Sequence, residues 1–566
     1  MSLLLKSGKQ NFKHTTKFLG DDDTVFSKGI YPYSYMTSEK KFKETQLPSI
    51  DAFYDTLKGE ALDPADYQRA QYIWNHFKIQ NMKQYHDHYL LSDVLLLADV
   101  FENFRISVYN EHKLDCLHFV TLPSLAWSAA LHHTKARLDL ITDPEMYLMI
   151  ENSMRGGIAT ISHRYASANN PSVEDYDSTK KHGYITYLDA NSLYATAQSE
   201  PLPVGDFRFL TDVEVSEFDL VSIAPDSKTG YIIECDLEYS DILHDKHSDY
   251  PMAPEHLTVT KDMLSSFSLG LLDQNHHWTP TQKLVPNLFN KTKYVTHYRN
   301  LQLYTRHGLK VTKYHRILSF SQSCWLKPWI SLCNKQRREA TSDFESDLAK
   351  LKANATFGKT MEQVRKHVNI RLIVDPDKLL KAVSKVTFRK SEIINRDLVM
   401  VRNARKQVTL NKPITVGFAI LELSKYIMYS FYYDVLKARY GEKCKLLFTD
   451  TDSLCCHIET YDLHKDMEEY LHHFDTSNFE TPLYRDENHR KLGKFKSETG
   501  STQPKEFVGL RAKMYSLWVP TDPKKSFVKA KGIQKAYVKK QVRHKQYLDV
   551  LRNVTRNTKA TFRKFR

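Results

Sequence analysis

The stretch FTDTDS, Phe448 to Ser453, sets two carboxylates two residues apart between apolar segments. An extended chain puts residues i and i+2 on one face. Asp450 and Asp452 held that closely repel, and burial raises the cost of ionising either. A bound cation resolves both problems. A third acid, Asp189, ends the apolar run YITYLD and is followed by Asn191 and Ser192, residue types that open helices. A carboxylate at a strand end beside a helix N-terminus suits a metal with a phosphate close by. The next station is cationic. In KLKANATFGK, Lys350, Asn354, Phe357 and Gly358 fall at i, i+4, i+7 and i+8, so a helix presents them on one face. A cation, an amide, an aromatic ring and a residue without a side chain make a platform for a nucleotide. Each station taken alone has an ordinary explanation: a solvated turn, a helix cap, an amphipathic helix. In this order they are the equipment of in-line phosphoryl transfer, where catalysis is mostly positioning and charge neutralisation.

Elements of both kinds must carry these stations. From about Asp63 to Tyr109 the pattern is helical, with Leu90, Val94, Leu97 and Phe101 at helix spacing. YITYLD reads as a buried strand. The stretch from about Pro201 to Tyr304 is mixed, with short strands and proline-rich loops. KPWISLCNKQRRE and the segment bearing Lys350 read as two helices. ITVGFAILELSKYIMYSFYYDVLKARYG is a long helix closed by Gly441, and the DTDS hairpin follows it.

The chain has 566 residues and a net charge of +14. Ser501–Arg566 alone holds 18 Lys and Arg against 3 Asp and Glu, which accounts for the whole excess. Apolar residues interleave with these charges, so the tail reads as a folded basic surface whose partner is a phosphate backbone. No uncharged apolar run is long enough for a membrane span. Seven cysteines without a C-x-x-C pair read as a reduced, intracellular protein.

The ordered motifs resemble a family B DNA polymerase of the protein-primed branch, most nearly those of Maverick/Polinton-type elements and related viruses. YLDANSLYATA resembles its first palm motif, KLKANATFG the fingers motif and FTDTDS the second palm motif. KMY (Lys513–Tyr515) resembles the K-x-Y motif that steadies the primer end. RGG (Arg155, Gly156, Gly157) resembles the link between exonuclease and polymerase regions. The resemblance implies a mixed α/β (α+β) fold: a right-hand palm, fingers and thumb, with the remainder of an N-terminal ribonuclease H-like exonuclease domain.

It implies these regions: 1–150, the C-terminal part of that exonuclease; 151–210, the link and first palm segment; 211–305, an insertion of the kind that contacts a priming protein. Fingers follow at 306–366, a strand-displacement type of insertion at 367–410, the palm with its hairpin at 411–500, and an incomplete thumb at 501–566. Asp189 and Asp452 would hold two Mg²⁺ ions, with Mn²⁺ as a substitute, and Asp450 would support them. Leu193 and Tyr194 would lie under the incoming sugar, Tyr194 as a steric gate against a 2′-OH. Lys350, helped by Arg338, would contact the triphosphate, and Asn354, Phe357 and Gly358 would line the nascent base pair. Lys513, Tyr515 and RGG would hold primer and DNA. Implied partners are a DNA template and primer, dNTPs and a terminal protein.

Tyr89 and Asp93 in YLLSD resemble the third exonuclease motif, but the first two have no match upstream. One such motif cannot hold two metals, so no proofreading is expected. Both ends look short for the family, which keeps a catalytically inactive DNA-binding remnant as the alternative. A reverse transcriptase or RNA polymerase fits less well: Tyr194 disfavours rNTPs, and D-T-D differs from the usual Y-x-D-D.

Overall fold

The computed structural model describes residues 9–552 except 58, 267–268, 271, 273–279 and 481, so the closing TFRKFR lies outside the described residues. Before Ala159 the regular elements among the described residues are helices, with one isolated bridge between Asp55 and Glu60. Helix α1 (Met82–His112) starts where the Asn81 side chain accepts from Gln84 N–H and stops at Lys113 in the left-handed conformation. Helix α2 (Leu122–Thr134) carries Pro123 in its first turn. The stripe Leu90, Val94, Leu97 and Phe101 points outward, 38% to 55% exposed. The packed face of α1 is instead Tyr85, Tyr89, Leu96 and Val100.

Six strands build the central sheet: β1 (Ala159–Ile161), β2 (Gly183–Ala190), β3 (Cys444–Asp450), β4 (Ser453–Glu459), β5 (Phe474–Asp475) and β6 (Phe495–Ser497). Their order is β1-β3-β4-β2-β6-β5, antiparallel except for β5 with β6. The sheet is covered on both faces. On one side Ile185, Tyr187, Phe448 and Cys455 pack with Phe507, Tyr515 and Leu517 of a four-stranded C-terminal sheet.

On the other side lies a long helix, which three shorter helices precede in the chain. The short α3 (Leu193–Gln198) follows β2 directly. Helices α4 (Lys327–Glu339) and α5 (Asp343–Thr360) pack with α2 and α3 around Ala129, Ala130, Ala195, Trp329 and Ala353. Helix α6 (Ile414–Ser430) continues as a π-helical segment, Phe431–Lys437. There Phe431 stacks on Phe495 of β6, centroids 3.5 Å apart. Ile414–Lys443 is long and apolar enough to cross a membrane, but 83% of its apolar window is buried inside the protein. It is a core helix, packed on the central sheet and on strands between residues 229 and 323.

Leu202–Phe209, Lys310–Ser323, Thr229–Glu238 and Lys291–His297 make another sheet, so the 211–305 segment shares strands with its flanks. Asn369–Ile373, Leu398–Asn403 and Phe388–Asn395 form a separate three-stranded sheet backed by the helix Pro376–Val383.

Candidate active site

The register of β4 on β2 sets Ser453 opposite Asp189. Ala190 N–H then donates to the Asp452 carbonyl at 2.7 Å, which brings the two acidic stations to one sheet end. The link from β3 to β4 is a tight turn. Asp452 N–H donates to the Asp450 carbonyl at 2.9 Å, with Thr451 between them at φ +73°. The two acids therefore flank a γ-type turn and do not share one face of an extended strand, as their spacing alone implies. A β-branched residue is costly in that conformation. Neighbours hold it there: Thr451 N–H donates to the Ile158 carbonyl at 2.7 Å. Gly157 lies so close that a Cβ there would stand 2.9 Å from Thr451 Cβ and Oγ1.

Burial pushes the Asp189 carboxyl up to about 7, with further repulsion from Asp452 and Glu498. Burial likewise raises Asp452, and Asp450 adds to it. Lys350 acts in the opposite sense on both acids, so α5 projects its charge toward the same space. Asp450 is engaged differently, in an ion pair with Lys513. Oxygen donors whose charge the fold penalises are suitable for a hard divalent cation. Among the described residues no three His, Cys, Asp or Glu form a metal-holding group.

Tyr194 lies near enough to Asp452 to feel its charge. Its ring stacks on Phe357 of α5, centroids 4.6 Å apart and 16° between planes. Burial, then Asp452, raises its hydroxyl pKa. Leu193 is buried, so the backbone at the start of α3 is what it offers the site. Lys350 and Asn354 line a small cleft with Ser192, Ala195, Asn334, Arg337 and Leu492. Gly358 lies on the same exposed side, and a Cβ there would meet nothing.

Residues 17–435, well over half of the chain, match the family described as DNA polymerase type B, organellar and viral. The chain belongs to that family. A probable DNA polymerase of Agaricus bitorquis is 24% identical over 219 residues, 38% of this chain and 25% of that protein. The alignment thus spans about a quarter of that relative's length. Phi29 DNA polymerase in an orthorhombic crystal form superposes with a TM-score of 0.50 at 15% identity, over 92% of this chain and 74% of that one. Phi29 DNA polymerase with primer-template DNA and incoming nucleotide gives 0.48 at 16% identity, over 93% and 74%. The shared fold is that of a right-hand DNA polymerase. The family match stops at residue 435. Asp450 and Asp452 lie beyond it, and the sheet register of this type B polymerase brings them beside Asp189.

Three residues expected at the DNA or nucleotide sit elsewhere in this polymerase. Arg155 is buried: it donates to the Val295 carbonyl, pairs with Glu422 at 3.5 Å and lies over the Tyr294 ring. Lys425 donates to the Arg155 carbonyl and pairs with Glu422, so RGG is anchored to α6 from inside the core. Tyr515 is 1% exposed and stacks on Phe448, centroids 4.0 Å apart. It supports β3 from behind, whereas Lys513, at φ +61° just before that strand, reaches Asp450 instead. Arg338 is exposed, while Arg337 donates to Ser192 Oγ at 3.1 Å. One residue is about 100° on a helix, and that step decides which arginine meets the cleft.

Two functional candidates escaped the sequence reading. Arg337 lines the cleft, and burial, and then the charge of Arg490, lowers its pKa. Glu498 follows β6, where its N–H donates to the Tyr187 carbonyl. Neither belongs to a motif; Glu498 is found only through the pairing of β6 with β2. In the N-terminal part, Tyr89 donates to Asp93 at 2.9 Å and also meets the Tyr33 hydroxyl. The other Asp93 oxygen is buried without a partner.

Proposed function

We propose that this chain is a template-directed DNA polymerase that adds dNTPs to a 3′-OH by two-metal phosphoryl transfer with Mg²⁺, Mn²⁺ being a substitute. The observation that carries the reading is the register that sets Asp189 beside the Asp450–Asp452 turn, under the charge of Lys350. Asp189 and Asp452 would hold the ions; bound, these supply an activated 3′-oxygen and neutralise the developing phosphate charge. The protein's own groups do the positioning. Lys350 and Arg337 draw the triphosphate into the cleft. The Tyr194–Phe357 stack supports sugar and base, and its rigid ring leaves little room for a 2′-OH. Lys513 holds Asp450 at the primer side. The basic C-terminal region takes the duplex.

Within that reading the enzyme belongs to the protein-primed branch, of the Maverick/Polinton or viral type, and uses a terminal protein. The motif patterns and the two added β-structures at 211–305 and 367–410 support this. It works inside the cell. It has no proofreading nuclease, because Asp93 spends one oxygen on Tyr89 and no second exonuclease motif accompanies it.

Primer extension on a primed DNA template with Mg²⁺ and dNTPs tests the reading, with Asp452→Asn as the paired control. Synthesis by the wild type and a loss of about 10³-fold or more in the variant is expected, since electrostatic groups at the reacting centre are worth that much. A folded protein that binds DNA and makes no product would instead be the inactive remnant. The same assay without dNTPs reads the nuclease: primer shortening that Asp93→Ala abolishes would refute its absence.

A further inference from the structure

Lys350 faces the nucleotide cleft, and Lys352, two positions on, points the other way along α5. It is 6% exposed. Its ammonium donates to Glu111 Oε1 and to Gln336 Oε1, both at 2.8 Å, and lies 3.3 Å from His112 Nε2. Gln336 also donates to Glu111. Burial holds His112 neutral, down to about 4, so its ring nitrogen is free to accept. The cluster joins three elements: Glu111 and His112 close α1, Gln336 lies on α4 and Lys352 on α5.

The surroundings make the joint stiff. Trp329 packs against the rings of His112 and His133, and its Nε1–H donates to Thr356 Oγ1 at 3.1 Å. Ala129 and Ala130 of α2 meet Ala353 in the same cluster, and such small residues let helix backbones approach closely. A buried ammonium that loses its carboxylate is strongly destabilising, so the geometry of the pair is enforced. The helices before the palm thus grip the fingers helix on the side away from the nucleotide.

We propose that the N-terminal helical unit braces the fingers, with Lys352 and Glu111 as positioning residues that hold Lys350 and Asn354 in register for the incoming dNTP. The proposal rests on the polymerase reading for its substrate. It gives the N-terminal part a mechanical role that needs no nuclease chemistry.

The test uses the full chain and three variants: Lys352→Gln, Glu111→Gln and the double variant. Steady-state extension should show the KM for dNTP rising about 10-fold in each single variant with kcat within about 2-fold, the pattern of weakened ground-state positioning. The double variant should be no worse than the poorer single one, because both changes break one interaction. An unchanged KM in folded single variants, or additive losses in the double, would overturn the brace. Should Glu111→Gln, which leaves the ammonium unpaired, fail to fold, Lys352→Gln decides by the same readings. Amide hydrogen exchange over residues 343–360, without nucleotide, separates the brace from the activity. If the wild type makes no DNA, the polymerase reading falls; faster exchange in a folded single variant, Lys352→Gln or Glu111→Gln, still upholds the brace, and unchanged exchange refutes it.

Discussion

Gly156 and Gly157 are neighbours in sequence with opposite surroundings. A Cβ on Gly156 would meet nothing within 4 Å, whereas one on Gly157 would collide with Thr451. Thr451 is the strained centre of the acidic turn, so pressure on it moves Asp450 and Asp452 directly. Gly157→Ala is expected to lower DNA synthesis by about 10²-fold, the scale of a small misplacement of reacting groups. Gly156→Ala should stay within about 2-fold of the wild type in the same extension assay. Equal effects at both positions would mean that the glycines serve the chain's flexibility and not this close approach.

At the scale of elements, the strand Met514–Trp518 carries Tyr515 into the layer behind β3. Its hydroxyl meets only the Tyr187 hydroxyl, at 3.3 Å, among the described residues. Its ring does the work, stacked on Phe448 two residues before Asp450. Tyr515→Phe should therefore leave both stability and primer extension nearly unchanged. Tyr515→Ala should cost about 3–5 kcal/mol in denaturant unfolding, as large aromatic truncations in cores do. A Tyr515→Phe variant with intact stability but poor extension would restore a direct role at the primer. The stripe on α1 teaches a related point. Periodicity finds a helix and its two faces, but the face that packs is the one carrying Tyr85 and Tyr89, and Leu90, Val94, Leu97 and Phe101 stay outside.

For the whole molecule, the charge excess sits in the C-terminal region that follows the palm. Lys531, Lys535 and Lys539 are exposed there. Changing all three to Gln should weaken DNA binding equally across sequences. It should also flatten the slope of log K against log salt by about one for each phosphate that is no longer neutralised. A fluorescence anisotropy titration at several salt concentrations measures this, and an unchanged slope would place the duplex elsewhere. The same region packs its sheet against the palm through Phe507 and Tyr515, so the surface that would hold DNA and the strand that holds Asp450 share one core.

Residue types and spacing alone determined the three chemical stations, the strand before Asp189, the helix bearing Lys350 and the long apolar helix ahead of the hairpin. These are local properties: carboxylates at a turn, a helical repeat of side chains, an unbroken apolar run. Tertiary structure decided what depends on pairing and on angle. The β2–β4 register set Asp189 beside Ser453, and the β2–β6 register supplied Glu498. A rotation of one residue on α4 chose Arg337 over Arg338. Burial turned Arg155 and Tyr515 from expected DNA-binding groups into supports of the core. No local pattern records which strands will be neighbours or which helix face will be covered, because both are settled by packing between residues hundreds of positions apart.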